Sequence, residues 1–149
     1  MKKQFPFKFL FVVASLCAST SALAADTPTT LAGTTLVKAA EAKKLVDSGV
    51  SAIDTRVAAE YAEKTIKGAM NVTYKEKSAK SVDFDASADQ FDLNKLPSDK
   101  AAPILVFCNG PECWKSYKAS IAAKKAGFSK IYWFRGGMPE WSAAGLPTQ

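Results

Sequence analysis

The sequence predicts an α/β protein built around a parallel sheet. Its clearest strands are the apolar segments 104–107 and 131–134, each of which ends at a polar or glycine-containing turn. Short apolar runs of this kind are typical of strands that are buried on both faces of a sheet. Helical patterns lie between them, and strands that alternate with helices favour a parallel sheet with right-handed crossovers.

The predicted elements follow one another in a regular order. The strands are expected at residues 50–53, 70–72, 104–107 and 131–134. The helices are expected at residues 39–47, 58–63, 115–126 and 139–144. Several of these segments are followed by a glycine, which is a common signal for the end of a helix.

The longest stretch without a regular pattern is the polar segment 74–100. We expect four apolar side chains to attach it to the core: Phe84, Phe91, Leu93 and Leu96. The aromatic run 132–134 is predicted to belong to the strand and the core, and Met138 and Trp141 to pack the last helix. The lysines at positions 115, 118, 124 and 125 are predicted to form a solvated helix face.

Composition narrows the possible chemistry. The chain has 149 residues, of which 48% are apolar and 23% charged, and this suits one globular domain. It contains no histidine, which excludes Ser-His-Asp triads, Cys-His dyads and histidine-bound zinc or haem. No metal site or cofactor is expected. A catalytic nucleophile, if present, would be a cysteine that needs no histidine.

Residues 1–24 are predicted to be a secretory signal peptide. Three lysines precede the apolar run 9–18, and Ala22 and Ala24 give the small-residue spacing of a cleavage site. The apolar run is too short to span a bilayer, so no stable membrane insertion is expected after cleavage. The mature protein is therefore expected in the periplasm or outside the cell.

The segment after the predicted cleavage site is small and polar, and residues 25–34 are interpreted as a flexible lead-in to a domain over 35–149. Loss of the three signal-peptide lysines lowers the formal net charge from +6 by three units. No dense basic stripe with interleaved aromatic residues remains. Nucleic acid is therefore not an expected partner.

A cysteine-containing loop over residues 108–114 joins a predicted strand to a predicted helix. Ligands of open parallel sheets bind beyond the carboxyl ends of the strands, which is where Cys108 lies. Backbone N–H groups of a curled loop, together with the positive end of a helix, bind anions and lower the pKa of a cysteine. Asn109 and Gly110 supply turn chemistry, and Lys115 adds one positive charge. Cys108 is therefore a candidate nucleophile.

Several segments resemble the rhodanese family in the right order. The stretch VFCNGPECWKSYKASIAAKKAGFSKIYWFRGGMPEW is similar to the second half of a rhodanese domain. In the first half, residues 53–56 resemble the family's Asp-x-Arg strand end, and residues 66–72 its Ile-x-Gly-Ala-x-Asn segment. The resemblance covers roughly residues 35–147. The Cys113-Trp114 pair looks like an exported subgroup with a second cysteine before a tryptophan.

The resemblance implies a rhodanese-like three-layer fold, with a mostly parallel sheet of about five strands and helices on both faces. It also implies a sulfurtransferase that carries sulfane sulfur as a persulfide on Cys108. The donor would be a small sulfur compound or a persulfidated protein thiol, and the acceptor a thiol or another thiophile. The expected substrate-binding residues of the loop are Asn109, Gly110, Glu112, Trp114, Lys115 and Ser116.

Two further candidates, Asp54 and Arg56, match family positions that border the site. The favoured interpretation of this pair is an ion-pair network that fixes the loop geometry. Six residues separate Cys108 from Lys115, and the lysine stands where the family has an arginine. Lysine lacks the bidentate fork for an oxyanion, and Glu112 adds a negative charge. Thiosulfate is therefore expected to be a poor donor.

Cys113 has three interpretations. It is a resolving thiol that closes a disulfide with Cys108, the true sulfur acceptor, or a residue that only packs with Trp114. Three functions follow for the protein. Besides a sulfurtransferase, these are a thiol–disulfide protein that exchanges electrons with an exported redox partner, and a non-catalytic sulfur-carrier or binding module.

Overall fold

A computed structural model describes residues 25–149, so the predicted signal peptide lies outside the described residues. Five strands form one parallel sheet in the order β1-β5-β4-β2-β3. The strands are β1 (Thr35–Leu36), β2 (Ser51–Asp54), β3 (Met70–Asn71), β4 (Ile104–Phe107) and β5 (Ile131–Phe134). The helices are α1 (Ala39–Asp47), α2 (Ala58–Glu63), α3 (Trp114–Lys125) and α4 (Gly137–Ala143).

The predicted α/β class, the parallel sheet and its five strands are confirmed. The predicted helix and strand positions agree with the structure to within one or two residues at most ends. The exception is β1, which the sequence pattern did not locate. This strand has only two residues, which are too few to form an apolar run. It is a strand because it pairs with β5, where Leu36 is in register with Trp133.

The central strands end at the same edge of the sheet. Phe107, the last residue of β4, is in register with Asp54 of β2 and with Phe134 of β5. The residues that follow these strands therefore lie side by side, and they include Cys108 and Arg135. This edge is where a ligand site of a parallel α/β sheet is expected.

The core lies on both faces of the sheet because the side chains of β4 alternate. Leu105 and Phe107 pack in a cluster with residues of α1 and α4, whereas Ile104 and Val106 pack in a cluster with residues of α3. The sheet is thus covered on both sides, as predicted. Within residues 25–149, no helix is long and apolar enough to cross a membrane.

The polar segment 74–100 contains two short 3-10 turns, Ala86–Ala88 and Leu93–Lys95. The four predicted apolar anchors, Phe84, Phe91, Leu93 and Leu96, all pack against core clusters.

The prediction of a solvated lysine face is wrong for Lys118. Its side chain is completely buried, whereas Lys124 and Lys125 are exposed and Lys115 is partly exposed. The segment 74–100 folds over this side of α3 and supplies acidic and hydroxyl groups to the ammonium group. A periodic sequence pattern cannot reveal this cover, because it comes from a distant part of the chain.

Candidate functional site

The cysteine loop lies at the carboxyl end of β4. Cys108 follows the strand directly and is 1% exposed, and Cys113 is the N-cap residue of α3 and is partly exposed. The two are joined in a disulfide, with 6.2 Å between their Cα atoms. This separation lies inside the range that disulfides require.

Backbone contacts hold the loop in a curled conformation. Gly110 has a φ of +106°, and its carbonyl oxygen accepts a hydrogen bond from the Cys113 N–H at 3.0 Å. The Met138 N–H donates to the carbonyl oxygen of Cys108 at 2.9 Å. Gly137 has a φ of +53°, and a Cβ atom there would overlap that same carbonyl oxygen. The start of α4 therefore approaches the loop closely only because a glycine stands at position 137.

The outer side of the loop contacts the segment 25–27. Thr27 is 2% exposed, and both its N–H and its hydroxyl donate to the carbonyl oxygen of Pro111 at 2.8 Å. Arg135 in turn donates to the carbonyl oxygen of Thr27 at 2.7 Å and to its hydroxyl oxygen at 3.0 Å. The contact between Thr27 and Arg135 could not be predicted from the sequence, because nothing local links two residues so far apart in the chain.

Trp114 fixes the position of the second cysteine. Its ring is 3% exposed and packs edge-on against Tyr117, with 5.2 Å between the ring centroids. Its indole N–H donates to the carbonyl oxygen of Ala25 at 2.8 Å. The following candidate, Ser116, is 1% exposed and accepts a hydrogen bond from the indole N–H of Trp133 at 3.1 Å. Ser116 therefore faces the core.

Asp54 and Arg56 form a buried ion pair at the end of β2. The Arg56 guanidinium is 2.7 Å from the Asp54 carboxylate, which also accepts from the Thr65 hydroxyl at 2.8 Å. Arg56 reaches the loop by donating to the side-chain oxygen of Asn109 at 3.4 Å. Asn109 also donates to the carboxylate of Glu60. The pair thus fixes one end of the cysteine loop.

An open cleft of about 290 Å³ adjoins the disulfide. It is lined by Glu60, Glu76, Lys80, Asn109, Glu112, Cys113, Trp114 and Lys115. Five of the predicted site residues therefore share one cleft, whereas Cys108, Gly110 and Ser116 are buried. Glu76 and Lys80 were not predicted, because they come from the pattern-free segment 74–100.

The charged groups of the cleft are nearly balanced. Glu76 is paired with the buried Lys118 at 2.9 Å, so its charge is compensated. The remaining charged groups of the lining are two carboxylates, those of Glu60 and Glu112, and two ammonium groups, those of Lys80 and Lys115. Among residues 25–149, no side chain caps the first turn of α3, so its N–H groups add positive potential on the cysteine side.

The buried Lys118 anchors the loop that supplies Glu76. Its ammonium group donates to the Ser78 hydroxyl at 2.7 Å and lies 3.8 Å from Asp89. Burial by itself would raise the pKa of Asp89. Hydrogen bonds from Ser78, from the Lys77 N–H and from the Tyr74 hydroxyl outweigh burial and lower this pKa to about 2. Burial and the neighbouring Asp89 raise the pKa of Tyr74, so the tyrosine stays a donor.

This arrangement offers cysteine chemistry at a helix N-terminus. Within the described residues, no group of three or more His, Cys, Asp or Glu side chains could hold a metal ion. The candidate reactive groups of the site are the two cysteines, of which Cys108 is buried and Cys113 lines the cleft.

Comparison with known proteins adds three findings. A family model described as "Rhodanese-like domain" matches residues 38–144. No curated protein matches the chain. Several solved structures are similar to it in fold.

One of these structures is a protein from Anabaena sp., with 25% identity, 76% of this chain and 90% of that chain covered, and a TM-score of 0.55. A polysulfide-sulfur transferase homodimer from Wolinella succinogenes has 23% identity, covers 79% and 80%, and has a TM-score of 0.58. A thiosulfate sulfurtransferase from Pseudomonas aeruginosa has 20% identity and a TM-score of 0.57, with 78% of this chain but only 20% of that chain covered.

Proposed function

The chain belongs to the rhodanese-like domain family, and from this premise we propose that it is a sulfurtransferase that carries sulfane sulfur as a persulfide on Cys108. One observation carries the proposal. Cys108 stands at the carboxyl end of the central strand β4, in a curled loop that leads directly into the N-terminus of α3. Two of the structures with a similar fold are named as sulfur transferases.

The chemistry requires a cysteine thiolate. In the reduced protein, the Cys108 thiolate attacks the outer sulfur of a donor, the donor's sulfur–sulfur bond breaks, and the remainder of the donor leaves with the electron pair. The N–H groups at the start of α3 favour negative charge on this thiolate and on the persulfide that replaces it. An acceptor thiolate then attacks the outer sulfur and returns Cys108 to the thiolate form.

The charges of the cleft favour certain donors. The carboxylates of Glu60 and Glu112 line the cleft beside Cys113, and neither lysine of the lining offers a bidentate contact to an oxyanion. A dianion such as thiosulfate is therefore a poor donor, whereas a persulfide, a polysulfide or a persulfidated protein thiol carries less charge into the cleft. We also propose that the protein is exported after cleavage behind Ala24 and belongs to the subgroup with a Cys-Trp pair. An oxidising compartment is consistent with the disulfide.

The test is sulfur loading of the reduced protein. Wild type, Cys108→Ser and the matched control Cys113→Ser are reduced, freed of reductant and incubated under argon with glutathione persulfide. Transfer to cyanide is then measured as thiocyanate. We expect Cys108→Ser to lose transfer and Cys113→Ser to retain it. Retention by Cys108→Ser with loss in Cys113→Ser would reverse the assignment of the two cysteines.

A second function is favoured by the disulfide itself. A protein that exchanges electrons with an exported redox partner would use the same pair, with a partner thiol attacking the partly exposed Cys113. This function needs no sulfur uptake. If every variant fails to bind sulfur, while wild type loses and regains two hydrogen atoms reversibly with a dithiol, the redox function replaces sulfur transfer.

A further inference from the structure

The two cysteines of the loop differ in their access to solvent. Cys108 is 1% exposed, and only Cys113 is exposed to the cleft. An acceptor that enters through the cleft therefore meets Cys113 before it meets Cys108. Any sulfur carried by Cys108 has a second thiol of the same chain as its nearest neighbour.

The loop is also anchored at both cysteines. The carbonyl oxygen of Cys108 accepts a hydrogen bond from the Met138 N–H, and the Cys113 N–H donates a hydrogen bond to the carbonyl oxygen of Gly110. Thr27 fixes Pro111 between them. In this anchored loop the two sulfur atoms are within bonding distance. Reaction between them requires no large movement, which gives it the advantage of an intramolecular step.

We propose that Cys113 resolves the persulfide of Cys108 and releases sulfide, so that the protein reduces sulfane sulfur. This inference rests on the proposed function and names the group that consumes its persulfide. The Cys113 thiolate attacks the Sγ atom of Cys108, and the disulfide bond forms. The bond between that Sγ atom and the outer sulfur breaks, and the outer sulfur leaves as hydrosulfide with the electron pair. Two thiols are oxidised to the disulfide, and one sulfane sulfur is reduced to sulfide.

A dithiol must then return the protein to the reduced state. Its first thiolate attacks Cys113, the cysteine that lines the cleft, and Cys108 leaves as a thiolate beside the start of α3. Its second thiol resolves the mixed disulfide, so the dithiol ends as a disulfide and two electrons enter the protein. Apart from the paired Glu76, the cleft presents two carboxylates, Glu60 and Glu112, and two lysines, Lys80 and Lys115, so its net charge does not select the partner.

A single-turnover experiment tests this reaction. Reduced wild type, Cys113→Ser and Cys108→Ser are freed of reductant under argon, and each receives glutathione persulfide. Intact mass is recorded, and free sulfide is measured after subtraction of the sulfide formed with Cys108→Ser. A wild-type sample without donor controls for oxidation.

We expect wild type to lose the mass of two hydrogen atoms and to release one equivalent of sulfide. Cys113→Ser should instead gain the mass of one sulfur atom and release none above background. If wild type and Cys113→Ser both keep the added sulfur, the resolving role of Cys113 is overturned while sulfur carriage by Cys108 stands. If Cys113→Ser gains no sulfur, the proposed function itself fails, and this inference fails with it.

Discussion

Replacement of the buried Lys118 by methionine tests how the polar segment 74–100 is held. The ammonium group is fully buried, 2.9 Å from Glu76 and 2.7 Å from the Ser78 hydroxyl. Methionine fills a similar volume but leaves the carboxylates of Glu76 and Asp89 without their buried counter-charge. Loss of one partner of a buried ion pair costs about 3–5 kcal/mol. Because Asp89 keeps four hydrogen bonds from its own segment, we expect a loss near the lower end, about 3 kcal/mol.

The assay is urea unfolding at neutral pH, with the free energy of unfolding obtained by linear extrapolation. The matched control is Lys125→Met in the same helix, where the side chain is exposed. It should change stability by less than about 0.5 kcal/mol. Adding Glu76→Gln to Lys118→Met should recover part of the loss, because it removes one of the two uncompensated charges.

A solvated lysine would behave differently. If Lys118→Met and Lys125→Met cost the same small amount, the buried ion pair does not stabilise the protein, and the reasoning is refuted. If the double variant is no more stable than Lys118→Met alone, the loss does not come from the uncompensated Glu76 carboxylate.

Three further outcomes are expected. The pKa of Asp89 is lowered from 3.8 to about 2, so the stabilisation that its carboxylate provides is complete above pH 3.8 and is lost as the pH falls through 2. The variant Asp89→Asn should therefore lower the free energy of unfolding at pH 7 by about 1–2 kcal/mol, measured by thermal or urea unfolding. A cost that persists unchanged at pH 2 would contradict this. Gly137→Ala should lower the free energy of unfolding by about 3 kcal/mol, because it adds backbone strain and an overlap with the Cys108 carbonyl oxygen. The control Gly145→Ala, also at positive φ but with no atom within 4 Å of the added Cβ, should lower it by about 1–2 kcal/mol. Equal losses would show that the overlap at position 137 is relieved. Glu112→Gln should raise the initial rate of sulfur transfer from thiosulfate roughly 2- to 5-fold at low ionic strength, and added salt should remove the difference between variant and wild type. Equal rates at low salt would mean that the Glu112 carboxylate does not oppose the anion.

Much of the fold could be predicted from the sequence, because the information is local. The runs at 104–107 and 131–134 are apolar at every position, and this pattern is typical of a strand covered on both faces. The strand β1 has two residues and exists only because β5 offers it a free edge. No run of that length carries a signal, so the sequence could not place it.

The candidate site divides in the same way. The cysteine loop, its position after a strand and its helix were predictable, as was the proximity of Asp54 and Arg56, which are two residues apart. Glu76 and Lys80 line the cleft but come from a segment without any pattern. Their positions depend on how the segment 74–100 packs against α3, where Glu76 forms an ion pair with Lys118.

The sequence by itself determined the α/β class, the order of most strands and helices, the family resemblance and the two cysteines as candidate reactive groups. Only the tertiary structure decided that Cys108 is buried and Cys113 is exposed to the cleft, that Thr27 and Arg135 fix the loop from outside, and that Lys118 is an internal charge. The physical reason is the range of the contacts. Propensity, periodicity and turn chemistry act between near neighbours, whereas burial and charge pairing depend on which distant segment covers a side chain after folding.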